Sequence, residues 1–353
     1  MRKFSWLLFL FFALLFSWCG KKDSGSPTGS SGNTTTPPPS TTSSFVFAKG
    51  ADVSWLTQME DSGYKFYNSK GVAMDCMALM QSLGLNAIRL RVWVNPPAGW
   101  CNTADLVAKA VRAKKLGFRI LLDFHYSDIW ADPGHQAKPA AWTTYSTATL
   151  ITTVHDYTLG VLDTLKASGV VPSWVQIGNE TNDGMLWEDG RASTNMANFA
   201  ALVNAGYQAV KSVNDSIKVI VHISNGYDNS LFRWMFDGLK ANGASWDIIG
   251  MSLYPSTSNW QSYNSNCLAN MNDMVSRYNK QVMICEVGMP YTDASTCQSF
   301  ITDLITKTKS VGSNSGLGVF YWEPECYNNW QGYTMGAFDN TGRPTVAMNA
   351  FAN

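Results

Sequence analysis

Short β-branched or apolar runs alternate along this chain with longer stretches whose apolar residues recur at helical spacing. Eight runs read as strands: Phe47–Val53, Ala87–Val94, Arg119–Phe124, Trp174–Ile177, Lys218–Ile223, Ile248–Leu253, Val282–Cys285 and Gly318–Trp322. Between them the spacing predicts helices over Val72–Leu83, Asn102–Leu116, Ala148–Ala167, Ser193–Val213, Leu231–Ala241, Cys267–Tyr278 and Thr296–Val311, with a short final helix after Pro344. Strand–helix alternation argues for βα units and a parallel sheet. Eight such units in about 300 residues is the size of a (β/α)8 barrel. The rival, an open doubly wound sheet, normally carries a Gly-rich turn after its first strand. Gly50-Ala51-Asp52-Val53-Ser54-Trp55 is not such a turn.

The alternation begins only near Phe45. Before it, Arg2-Lys3 precede an apolar run from Phe4 to Trp18, which has the shape of a secretory signal. Leu15-Phe16-Ser17-Trp18-Cys19-Gly20 resembles a bacterial lipoprotein cleavage site, with Cys19 as the lipidated residue and Trp18 in place of the usual small residue. Residues 20–44 are rich in Ser, Thr, Gly and Pro and read as a spacer that cannot bury a core. The expected organisation is a signal over 1–19, a linker over 20–44 and one catalytic-sized domain over 45–353. The expected location is a bacterial cell surface or periplasm, or the medium if Cys19 carries no lipid.

Lys plus Arg balance Asp plus Glu at 26 each and do not cluster, so no nucleic-acid surface is expected. The four histidines and seven cysteines show no metal-ligand spacing. Cys285 sits in a strand and reads as a small hydrophobe. No pairing is assigned to Cys76, Cys101, Cys267, Cys297 and Cys326. Fourteen tryptophans and fourteen tyrosines exceed ordinary need, and some are expected to line a sugar groove rather than pack the core.

Polar residues gather at the strand C-termini, the rim where such barrels build their sites. They are Asp52, Arg89, Arg91, Asp123, His125, Asn179, Glu180, His222, Asn225, Tyr254, Glu286, Trp322 and Glu323. Glu180 follows strand four and Glu286 follows strand seven. Two facing carboxylates are what glycosidic hydrolysis requires.

Several motifs resemble glycoside hydrolase family 53. They are Gly50-Ala51-Asp52-Val53-Ser54-Trp55, Arg89-Leu90-Arg91-Val92-Trp93-Val94-Asn95-Pro96, the stretch from Leu122 to Gly134, Gly178-Asn179-Glu180 with Gly184-Met185-Leu186-Trp187, and Phe320-Tyr321-Trp322-Glu323-Pro324. The resemblance implies a retaining endo-β-1,4-galactanase acting on galactan, the side chain of pectin. It implies Glu180 as acid/base and Glu286 as nucleophile, with carboxyls ~5–5.5 Å apart. Glu180 then needs a raised pKa, and Glu286 needs to stay ionised. Arg91 is expected to contact Glu286, with Arg89 one layer deeper.

Asn179 is expected on the sugar 2-hydroxyl, and Trp322 as a stacking floor. His125, Asp128 and Trp130 are expected along the groove, joined by His222 and Tyr254. Asp52 meets a sugar hydroxyl or holds the rim, and Glu323 points away as a structural residue. Some bacterial relatives carry a calcium-holding insertion after strand seven. Here only Val287 to Thr296 separates strand from helix, with Asp293 its sole carboxylate, so neither calcium nor another cofactor is expected. Alternatives are a related β-1,4-glycanase such as a mannanase, or a glycan-binding barrel. A metal-dependent barrel hydrolase lacks ligands.

Overall fold

The eight runs form eight parallel strands: β1 (Ala48–Asp52), β2 (Ala87–Val92), β3 (Arg119–Phe124), β4 (Trp174–Ile177), β5 (Lys218–Ile223), β6 (Ile248–Leu253), β7 (Gln281–Val287) and β8 (Gly316–Trp322). They close in sequence order, because β1 pairs with β2 on one side and β8 on the other. This is a (β/α)8 barrel. The computed structural model describes residues 45–352. The signal, the linker and Cys19 lie outside the described residues.

The interior is a packed plug. Ala48, Ala87, Leu121, Trp174, Ile220, Ile248, Met283, Cys285, Leu317 and Phe320 form one inward cluster. Gly50 leaves room for Phe320, whose ring a Cβ there would meet at 2.1 Å, and the ring centroids of Trp174 and Phe320 are 6.3 Å apart. Such interdigitation of small and large side chains fills a narrow barrel. Above this plug the inward positions turn polar, and there the site begins.

The helices α1 (Leu56–Asp61), α2 (Cys76–Ser82), α3 (Thr103–Lys115), α4 (Thr147–Ala167), α5 (Ala192–Val213), α6 (Asn229–Ala241), α7 (Trp260–Tyr278) and α8 (Ala294–Ser310) follow the strands. Asn102 caps α3 by accepting from Asp105 N–H at 2.9 Å, as its sequence suggests. Bounds differ where packing outweighs periodicity. The helix expected from Val72 starts only at Cys76, since Ala73–Met74 pairs antiparallel with Phe66–Tyr67. α1 has too few residues to show a period, and α7 begins seven residues before the expected Cys267. After Pro344 the chain forms a 3-10 helix, Val346–Phe351.

The six described cysteines are free and buried, and Cys285 is part of the inner plug as expected.

Candidate active site

Glu180 and Glu286 line one cavity of about 270 Å³ at the C-terminal rim, together with His125, Trp130, Asp132, Asn179, Tyr254, Trp322 and Tyr333. Different local devices bring each glutamate there. After β4 the chain turns through Gly178 at φ +80° and reaches Glu180 at φ +42°. A Cβ at Gly178 would meet Thr181 Cγ2 at 2.5 Å, so glycine is required. Glu180 itself occupies the left-handed region, a strain tolerated where surrounding structure fixes it.

Glu286 depends on a bulge. Met283 and Cys285 already point inward, so strict alternation would turn Glu286 outward. The pairing of β6 with β7 slips between Met251–Ile284 and Ser252–Glu286. The extra residue re-aims the glutamate into the barrel mouth.

Arg89 joins the polar layer. Its Nη1 donates to Asp52 Oδ2 at 2.7 Å, and its Nη2 to Asp123 Oδ2 at 2.9 Å and Asn179 Oδ1 at 2.8 Å. Nη2 also lies 2.9 Å from Glu286 Oε1 as an ion pair, outside hydrogen-bond alignment. Gln176 ties Asp123 to Asn179, donating at 2.5 and 3.1 Å. A guanidinium this buried is tolerable because it is paired on several sides. The expected Arg91–Glu286 contact does not form. Arg89 starts one layer lower, yet its guanidinium is the one that stands beside the nucleophile candidate. Arg91 instead pairs with Glu323.

Burial pushes the Glu180 carboxyl up to about 7, opposed by a Ser252 hydrogen bond and by Arg89. Burial pushes Glu286 up to about 8, opposed by Arg89 and assisted by Glu180. A Glu286 held low was expected; desolvation outweighs its arginine. The two acids repel, so near neutrality the pair holds one proton. The larger shift is on Glu286, yet contacts decide where the single charge sits. Glu286 has the Arg89 cation at 2.9 Å and accepts from the Tyr254 hydroxyl at 2.9 Å. Both favour Glu286 as the anion and leave the proton on Glu180.

The other predicted residues divide into two groups. His125, Trp130, Asn179, Tyr254 and Trp322 line the cavity. His125 Nδ1 accepts from Trp93 Nε1 and Ala131 N–H, both at 3.1 Å, which places its proton on Nε2 toward Asp123 at 3.0 Å. Its ring edge, rather than a free nitrogen, therefore faces the groove.

Asp52, Asp128, His222 and Arg91 do not line the cavity. Asp52 is fully buried and taken by Arg89 and Ser54. Asp128 accepts from Asn95 N–H at 2.9 Å and Ala140 N–H at 2.8 Å, so it fastens the loop after β3. His222 sits beneath Asn179 with Nε2 2.7 Å from Ser252 Oγ, and burial lowers its pKa well below the usual value. Glu323 lies past the end of β8 at φ +47°, outside strand alternation, and its carboxylate pairs with Arg91 and accepts from the Trp55 backbone N–H.

Asp132, Tyr333, Gln136 and Ser252 were missed. Tyr333 arrives from the long loop after β8, which has no period to read. Gln136 Nε2 holds the Asn179 carbonyl at 2.8 Å. Among the described residues no three His, Cys, Asp or Glu side chains gather as a metal site.

Two further cavities flank the central one. Trp55, Trp93, Trp100, Trp130, Trp322 and Tyr333 line one of about 530 Å³. Trp130, Asp132, His135, Gln136 and Trp187 line another of about 550 Å³. Shared walls make the three a groove across the rim.

The family model described as "Glycosyl hydrolase family 53" matches residues 48–351. The chain belongs to glycosyl hydrolase family 53. It is 32% identical over 302 residues to an arabinogalactan endo-β-1,4-galactanase of Thermothelomyces thermophilus, spanning 80% of this chain and 90% of that one. An uncharacterized protein in the bgaB 5' region of Niallia circulans is 36% identical over 331 residues, spanning 85% and 90%. A fungal β-1,4-galactanase structure superimposes with a TM-score of 0.80 at 31% identity, covering 86% of this chain and 98% of that chain. The family 53 catalytic domain of Ignisphaera aggregans gives 0.78 at 30%, covering 86% and 95%. The family makes this a glycoside hydrolase.

Proposed function

We propose that the enzyme cleaves β-1,4-galactosidic bonds within galactan chains, including type I arabinogalactan side chains of pectin, with retention of anomeric configuration. The observation that carries this reading is the pair Glu180 and Glu286 facing one cavity, with Arg89 and Tyr254 both on Glu286. Relatives named as galactanases supply the substrate class. A groove continuing on both sides of the pair suits attack in mid-chain.

In this mechanism Glu286 attacks the anomeric carbon while Glu180 gives its proton to the departing glycosidic oxygen. The glycosyl–Glu286 ester is then cleaved by water, which loses its proton to Glu180. Arg89 and Tyr254 stabilise the Glu286 charge between turnovers. The Asn179 amide has one N–H on Ala131 O at 2.8 Å, and its other N–H is the donor for the 2-hydroxyl. Trp322 provides the apolar floor and Trp130 a side wall.

Digestion of linear β-1,4-galactan beside β-1,4-mannan and cellulose tests the proposal. Short galacto-oligosaccharides from galactan alone are expected. Cleavage of mannan or cellulose instead overturns the substrate assignment, and binding without cleavage favours glycan capture.

Export with a lipid on Cys19 belongs to the same reading, resting on Arg2-Lys3, the Phe4–Trp18 run and Cys19. Fatty-acid labelling of the expressed chain is expected and is lost in Cys19→Ala. Labelling that persists in that variant, or never occurs, contradicts the anchor.

A further inference from the structure

Arg91 is fully buried, yet it takes no part in the polar layer around Arg89. Its guanidinium carbon lies 4.4 Å from the ring centre of Trp130, 5.0 Å from Trp55 and 5.3 Å from Trp93. Nη1 pairs with Glu323, while Nε and Nη2 have no hydrogen-bond acceptor. The surrounding rings take the place of acceptors, since an indole face attracts a cation.

Glu323 anchors this cation from the other side. Its two carboxylate oxygens accept the Trp55 backbone N–H at 3.2 Å each, and its own backbone N–H donates to Asp52 O at 3.0 Å. The unit therefore ties the ends of β1, β2 and β8 together behind the groove. Glu325 is buried against Glu323; mutual repulsion and burial keep a proton on the acidic pair, so one positive charge meets one negative.

The rings held this way are groove walls. Trp130 borders the central cavity and both flanking ones. Trp55 and Trp93 border the 530 Å³ flank. Trp130 meets Trp55, Trp93 and Trp322 at centroid distances of 5.3, 5.1 and 5.8 Å, so it is the ring through which this wall is packed together.

We propose that Arg91 is a positioning residue that fixes the Trp55–Trp93–Trp130 wall and thereby sets the grip on long galactan chains, an inference that rests on the galactanase reading. A cation held among the rings locks their arrangement from behind. The remaining ring surface stays available to the apolar faces of sugar rings.

The test uses the full chain, with galactan and an aryl β-galactobioside as substrates. Removing both charges with Arg91→Met plus Glu323→Gln avoids a lone buried ion. The double variant is expected to fold, to raise KM for galactan about tenfold and to keep kcat within about threefold, in line with the loss of several cation–π contacts. KM for the aryl substrate stays within about threefold, and tryptophan emission shifts to the red. Arg91→Lys restores part of the galactan KM.

An unchanged galactan KM in the folded double variant overturns the proposal, as does an equal fall in kcat on both substrates. If the double variant does not fold, Arg91→Lys decides alone: a galactan KM and emission equal to wild type overturn the proposal. If wild type cleaves no galactan, the galactanase reading fails instead. The emission then judges Arg91, and its absence of change overturns the positioning role.

Discussion

The Tyr254 hydroxyl donates to Glu286 Oε2 at 2.9 Å, on the oxygen opposite the one facing Arg89. One carboxylate is thus approached by a phenol and a guanidinium from separate sides. Both lower the cost of its negative charge in a buried setting. Tyr254→Phe removes one of them. The ascending limb of the kcat/KM–pH profile should move to higher pH, because the anion loses a donor and Glu286 holds its proton longer. Activity at neutral pH should fall about 10- to 100-fold, the worth of a hydrogen bond to a charged group. A profile that does not move contradicts the role given to this contact.

Glu180→Gln keeps the size of the side chain but cannot deliver a proton. Galactan hydrolysis should drop by about 10²–10⁴-fold. An aryl galactoside with a good leaving group should still form the glycosyl-enzyme, giving a burst of phenol before a slow steady state. The descending limb of the pH profile should vanish. Steady-state galactan activity near wild type removes Glu180 from the mechanism.

The two raised carboxyls also make a statement about stability. Their folded pKa values, about 7 and about 8, lie above the ordinary carboxylate range. The folded state therefore binds more protons than the unfolded state between about pH 4.5 and 8. Their contribution to stability is greatest below the unfolded pKa and is lost as pH rises through that window. Glu180→Gln should raise Tm at pH 8 relative to wild type and flatten the decline from pH 5. A variant whose Tm falls in parallel with wild type contradicts the assigned shift.

Arg89 holds Asp52, Asp123, Asn179 and Glu286 at once. Arg89→Met leaves several buried acids without their cation. Denaturant unfolding should show a loss of about 3–5 kcal/mol, the usual cost of breaking a buried pair from one side. Little or no loss shows that these acids are neutral in the native state.

Much of this fold was legible from chemistry that depends on near neighbours. β3, β4, β5 and β6 have the bounds read from their apolar runs, because buried parallel strands admit little else. Both glutamates were legible as charges at strand ends. The bulge that turns Glu286 inward was not, since its cause lies in the pairing of β6 with β7. Arg89 and Arg91 share one strand parity, and parity cannot say which side chain stands beside Glu286 and which turns into the aromatic cage. Tyr333 comes from a loop without periodicity. Asp52 and His222 carried the right chemistry for sugar contacts but were claimed by buried partners that only the folded barrel assembles.

The measurement that tests the central claim most directly is azide rescue of alanine variants on an aryl β-galactobioside, with the product's anomeric configuration read by NMR. Glu180→Ala still forms the glycosyl–Glu286 ester, and azide then displaces it to give the β-galactosyl azide. Glu286→Ala leaves room for azide to attack the anomeric carbon itself and gives the α-galactosyl azide. The reverse pairing exchanges the two roles, and two products of the same configuration contradict a retaining mechanism built on Glu180 and Glu286.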